Sequence, residues 1–111
     1  MINLVLHKNV TMDKLIKAGF KPQSENKKLF RFREKLYKNV ISLSIKIDLS
    51  EENDENKIEW YVLDNNTGGD YNAFYFTLNT CRDLVREQVI ESFKKVINNL
   101  DKKEVLFMEE I

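Results

Sequence analysis

The sequence predicts a single α+β domain over residues 1–111. It is a four-stranded antiparallel meander with a short N-terminal helix and a long C-terminal helix packed on one face, in the order α-β-β-β-β-α. Three observations carry this expectation. Ile41, Leu43, Ile45, Ile47 and Leu49 alternate strictly with polar residues, the mark of a strand with one buried and one wet face. Apolar residues from Val85 to Leu100 recur at helical spacing. Dense turn signals, above all the run from Asn65 to Asp70, cut the stretch between them into short strands.

The elements follow in chain order. Residues 2–6 suit a short strand. Thr11 is a good N-cap and Asp13 suits the positive end of a helix dipole, so a helix over 11–19 is expected, with Met12, Leu15 and Ile16 as its apolar stripe. Gly19 ends it and Pro22 prevents its resumption. Phe30, Phe32 and Leu36 alternate with Arg31, Arg33 and Lys35. A tight turn at Lys38-Asn39 would pair Leu36 with Ile41, Phe32 with Ile45 and Phe30 with Ile47, all on one face, with Glu34 as the misfit opposite Leu43. Ile58, Trp60 and Val62 mark a third strand, and 71–78, with Phe74, Phe76 and Leu78 inward, a fourth. Thr80 caps a helix over about 81–100 whose apolar face holds Val85, Val89, Phe93, Val96 and Leu100, with Ile90 and Ile97 beside them. Val105 to Met108 is apolar enough to dock as a last short helix or strand.

Composition limits the chemistry. The net charge is zero but unevenly spread: residues 1–50 carry +7, 51–81 carry −6 and 82–111 carry −1. Lys, Asn and Ile are abundant and Ala contributes two residues, the pattern of an AT-rich gene. One cysteine excludes a disulfide framework, and one histidine argues against a Cys/His zinc site. The apolar run at Leu4-Val5-Leu6 is too short for a signal peptide, and no stretch approaches the roughly 20 apolar residues of a membrane span. A cytoplasmic protein with Cys81 reduced is the expectation.

Each candidate motif has a plainer reading. The acidic run Glu51-Glu52-Asn53-Asp54-Glu55 lacks the spacing and glycine of an EF-hand and reads as a solvated loop. Gly68-Gly69 is followed by Asp70 and a strand, not by the lysine and helix of a phosphate loop, and reads as a turn. Cys81 near a helix start would favour a thiolate, but nothing places His7 beside it as a base, so it reads as structural. With no acid, base or nucleophile arrangement in the sequence, neither catalytic residues nor cofactors are expected, and the protein reads as a non-enzyme.

The stretch from Lys27 to Lys35 interleaves basic and aromatic residues. Phe30 and Phe32 fall on the face opposite Arg31 and Arg33, which makes them core. A nucleic-acid surface would then use Lys28, Arg31, Arg33, Lys35 and Lys46 on the outer face of the first hairpin. Tyr37, Tyr61 and Tyr75 would supply exposed aromatics there, or the centre of a protein interface. The plainest account is an edge strand guarded by charge. Of the binding readings a protein partner is preferred to nucleic acid, because the whole chain is neutral.

Ala18-Gly19-Phe20, the stretch Tyr71-Asn72-Ala73-Phe74-Tyr75 and the helix–meander–helix layout resemble small uncharacterised accessory proteins of prophages and conjugative transposons in low-GC Gram-positive bacteria. The resemblance implies a mobile-element setting and a regulatory or protein-binding role, and it implies no functional residue.

Overall fold

Ile41, Leu43, Ile45 and Ile47 are all buried, which makes their strand the floor of the core. The computed structural model describes residues 2–23, 26–71, 74 and 84–110. Along the chain run β1 (Ile2–Leu6), α1 (Met12–Lys17), β2 (Lys21–Gln23), β3 (Asn26–Tyr37), β4 (Ile41–Asp48), α2 (Asp54–Lys57), β5 (Ile58–Asp64), α3 (Leu84–Lys102) and β6 (Leu106–Glu110). They form one α+β domain with a four-stranded antiparallel sheet, β2-β3-β4-β5, and a two-stranded antiparallel sheet, β1-β6. Among the described residues no helix is long and apolar enough to cross a membrane.

The four-stranded meander is present, but its fourth strand is Lys21–Gln23 rather than 71–78. Three residues with a central proline carry no alternation to read, and proline is tolerated in an edge strand. Of 71–78, residues 72, 73 and 75–78 lie outside the described ones. Asp70 bridges to Leu63 and Tyr71 N–H donates to Val62 C=O at 2.8 Å, so pairing with β5 begins as expected. Phe74, however, lies in a helical turn, with its N–H on Tyr71 C=O.

The β3–β4 register matches expectation at Phe30↔Ile47, Phe32↔Ile45 and Glu34↔Leu43. It departs near the turn, where Tyr37, not Leu36, pairs with Ile41 across a bulge. The extra residue lets Leu36 stay buried while Tyr37 turns to the face of Ile41 and packs against the core. The turn closes with Val40 N–H on Tyr37 C=O and Lys38 at φ 46°.

α3 lays Val89, Phe93, Ile97 and Leu100 onto the sheet, with Val85, Ile90 and Val96 at the margins. Phe93 meets Trp60 and Phe74 at ring-centroid distances of 5.4 and 4.9 Å. In α1 the Thr11 hydroxyl accepts from Lys14 N–H, the expected cap. The expected stripe is corrected: Leu15 and Ala18 are buried, whereas Met12 and Ile16 are 42% and 51% exposed. A six-residue helix has one line of inward positions, and here it runs through 15 and 18.

Both α1 and α3 end in the same way. Gly19 N–H donates to Ile16 C=O and Phe20 N–H to Leu15 C=O; Glu104 N–H donates to Asp101 C=O and Val105 N–H to Leu100 C=O. This is the Schellman closure, which needs a left-handed residue. Gly19 (φ 102°) meets that need without strain, and the turn tucks Phe20 against Phe32, their rings 5.0 Å apart. Glu104 (φ 60°) meets it against the usual cost of a side chain there.

A polar staple compensates at the second closure. Lys14 Nζ bonds to the Glu104 carboxylate, and His7 Nε2 donates to Asp101 Oδ1 over 2.7 Å, so the chain around β1 and α1 is tied to the end of α3. The hydrogen bond and charge of Lys14 hold Glu104 below the usual glutamate range. A carboxyl with a depressed folded pKa adds stability above its unfolded pKa and loses it as pH falls through the folded one. Glu104→Gln is therefore expected to flatten part of the acid limb of stability between about pH 5 and 3. The rest belongs to groups such as Asp48, which the Ser50 hydroxyl likewise holds low. Urea midpoints of both proteins across that range check this. Parallel limbs would contradict it.

Candidate interaction face

β4 is central, so its two faces meet different neighbours. α3 covers the face of Ile45, and the other face carries Ser42, Ser44 and Lys46 of β4 with the residues that register sets beside them. Register places Lys21, Arg31, Lys46 and Glu59 in one row across β2, β3, β4 and β5. The next rows are Arg33, Ser44 and Tyr61, then Lys35, Ser42 and Leu63. Arg31, Arg33, Lys35 and Lys46 of the expected surface thus come together, and Lys21 joins them. Lys21 went unread because its strand has no pattern.

Two of the expected residues do not belong to this group. Lys28 has the same strand parity as Phe30 and Phe32, which sets it apart from Arg31. Tyr37 leaves the outer face because of the bulge, and Lys38 Nζ sits 5.3 Å from the centre of its ring. Tyr61 is on the face and 45% exposed. Tyr75 lies outside the described residues. Of the two expected tyrosines that are described, then, Tyr61 faces outward with the cations and Tyr37 does not.

The rows are electrostatically unusual. Lys21 is opposite Arg31, and Arg31 is opposite Lys46. Directly opposed like charges weaken a sheet. Glu59, 3.8 Å from Lys46, offsets this at one end of the row.

The far end is organised by a residue with no sequence signal. Asn65, in the turn after β5, folds over β3 and β4. Its Nδ2 donates to Asn39 C=O at 3.0 Å and to Ser42 Oγ at 2.9 Å, and its Oδ1 accepts from Arg33 Nη2 at 3.2 Å. Its backbone N–H reaches Val40 C=O. This buries Ser42 and fixes the Arg33 guanidinium on the face.

Of the other motifs, the Gly68-Gly69 segment is the expected turn, whereas the acidic run is not all loop, because its last two residues, Asp54 and Glu55, open α2. Gly68, at φ 76°, completes the turn with its N–H on Asp64 C=O. The acidic run leads into α2, where Lys57 pairs with Asp54 at 3.0 Å. Among the described residues no three His, Cys, Asp or Glu side chains are placed to hold a metal ion. Cys81 lies outside the described residues.

No protein-family model matches the chain, and neither does any curated protein. A solved structure, that of a DUF1831 family protein from Lactobacillus plantarum, is similar with a TM-score of 0.72 and 14% identity, over 98% of this chain and 89% of that one. At that identity the likeness is one of fold: this chain has the α+β architecture of that DUF1831 family protein.

Proposed function

We propose that the protein is a small non-catalytic binding module that docks an acidic surface of another protein on the outer face of its sheet. The observation that carries this is the run of opposed cations Lys21–Arg31–Lys46, with Arg33 and Lys35 beside it. Such a row costs the isolated fold some stability, and a partner's carboxylates would relieve it. A modulating role in a prophage or conjugative transposon belongs to the same proposal and rests on sequence layout alone.

The second reading is a single-stranded nucleic acid on the same cations, favoured by the spread of Lys21, Arg31 and Lys46 over three strands. It needs stacking aromatics as well. Only Tyr61 among the described residues supplies one on this face, which is why the protein partner is preferred.

Amide shift titrations with poly-L-glutamate and with a single-stranded oligonucleotide of equal charge separate the two. With poly-L-glutamate we expect shifts at Lys21, Arg31, Arg33, Lys46 and Tyr61 that fade as salt rises, and the oligonucleotide should bind no tighter. An oligonucleotide affinity about tenfold or more higher, with Tyr61 ring protons shifted upfield, would transfer the site to nucleic acid. Silence with both polyanions at low salt would remove the face as a binding site.

A further inference from the structure

β3 is twelve residues long, but β2 covers it only from Asn26 to Arg31. The chain cannot continue that pairing, because Gly19 turns it away and Phe20 packs down on Phe32. From Phe32 to Leu36 the side of β3 away from β4 therefore has no strand beside it among the described residues. An open edge of this kind is a template for strand addition.

Two features define what fits there. Beside the edge lies a groove of about 510 Å³ between Phe32 and Glu34 on one side and Lys95, Val96, Asn99 and Lys103 of α3 on the other. It gives room for the side chains that an added strand would direct toward α3. On the opposite face the same strand would meet Arg33 and Lys35. The groove side is mixed, with Glu34 beside its lysines and Phe32, Val96 and Leu100 as apolar lining, so charge selection falls to Arg33 and Lys35.

A second copy of this chain is a poor occupant. Antiparallel self-pairing centred on Glu34 would set Glu34 against Glu34 and Arg33 against Lys35 twice. Every charged pair would be of like sign, which destabilises a ladder. The same residues welcome a strand of opposite charge.

We propose that an extended acidic segment of a partner protein adds as a strand to β3 at Phe32–Leu36, with carboxylates at alternate positions over Arg33 and Lys35 and small apolar side chains in the groove against α3. This rests on the acidic-partner reading and specifies its geometry. Main-chain hydrogen bonds supply the register, and the cations select the sequence.

The test uses the full chain and three nine-residue peptides: alternating Glu and Val, alternating Lys and Val, and the Glu/Val peptide N-methylated on its edge-facing amides. The Glu/Val peptide should slow exchange of the edge-facing amides within 32–36 about tenfold or more. N-methylation should abolish that protection and weaken binding about tenfold, as should R33E with K35E in the protein. Equal binding of the N-methylated peptide, with shifts confined to Lys21, Arg31 and Lys46, would overturn strand addition and leave the acidic-partner reading standing. Equal binding of the Lys/Val peptide would overturn the charge selection on which the proposal depends. Absence of binding by the Glu/Val peptide at low salt would also overturn it, and the poly-L-glutamate titration decides separately whether the basic face fails as well.

Discussion

Phe93→Ala is expected to remove about 3–5 kcal/mol of folding stability, the usual cost of emptying a buried aromatic site. The ring is fully buried where α3 crosses the sheet, and it touches both Trp60 of β5 and Phe74. Those two rings also meet each other edge-on at 6.1 Å, so the cavity would open inside a cluster of three aromatics. Neither Trp60 nor Phe74 can fill the space without leaving the other. A domain of this size holds about 5–15 kcal/mol in total, so the variant should sit close to its unfolding threshold at 37 °C. Urea unfolding gives the number. Trp60, the single tryptophan, gives an independent local signal, since its environment changes with the loss of Phe93. Phe93→Leu keeps most of the volume and should cost distinctly less. A loss below about 1 kcal/mol for the alanine variant would mean that α3 is not anchored through this ring.

Burial governed what the sequence revealed. β4 has one face under α3 and one in water, and its alternation states this residue by residue. Phe30 and Phe32 share that constraint, so their partners Ile47 and Ile45 are legible in the sequence. The constraint weakens near the turn. A bulge at Leu36 keeps the apolar residue inside at the price of one register step, and no glycine marks the place. α1 shows the same limit, since Met12, Leu15 and Ile16 are equally apolar and only the docking angle decides that Leu15 alone of them is buried. β2 is too short to hold any period.

The candidate face was legible to the same degree. Strand parity in β3 and β4 identified Arg31, Arg33, Lys35 and Lys46, because those strands had been read correctly. Lys21 and Asn65 were missed for a common reason. Each reaches the face through tertiary placement, one on a patternless edge strand and the other from a turn that folds back over Ser42. Tyr37 was misplaced by the single residue of the bulge.

The pairing of β1 with β6 joins residues about a hundred positions apart, and this is where Leu106→Ala should act. Leu106 is fully buried and stands opposite Leu6; Leu4, nearly as buried, stands opposite Met108. A two-stranded sheet is marginal by itself and depends on what its apolar face covers. Leu4, Val105 and Leu106 all belong to the common core. Truncating Leu106 should cost about 2–5 kcal/mol overall. Its local signature should be larger than the global one. The amides of Leu4 and Leu6 are expected to lose more exchange protection than that of Ile45, because β1 has β6 as its neighbour in the sheet whereas β4 is paired on both sides. The His7–Asp101 and Lys14–Glu104 bonds would still tie the chain around β1 to α3, which keeps the opening confined to the strand pair. An equal loss of protection at Leu4, Leu6 and Ile45 would show instead that the two sheets unfold as one unit and that β1–β6 is as much part of the cooperative core as the meander.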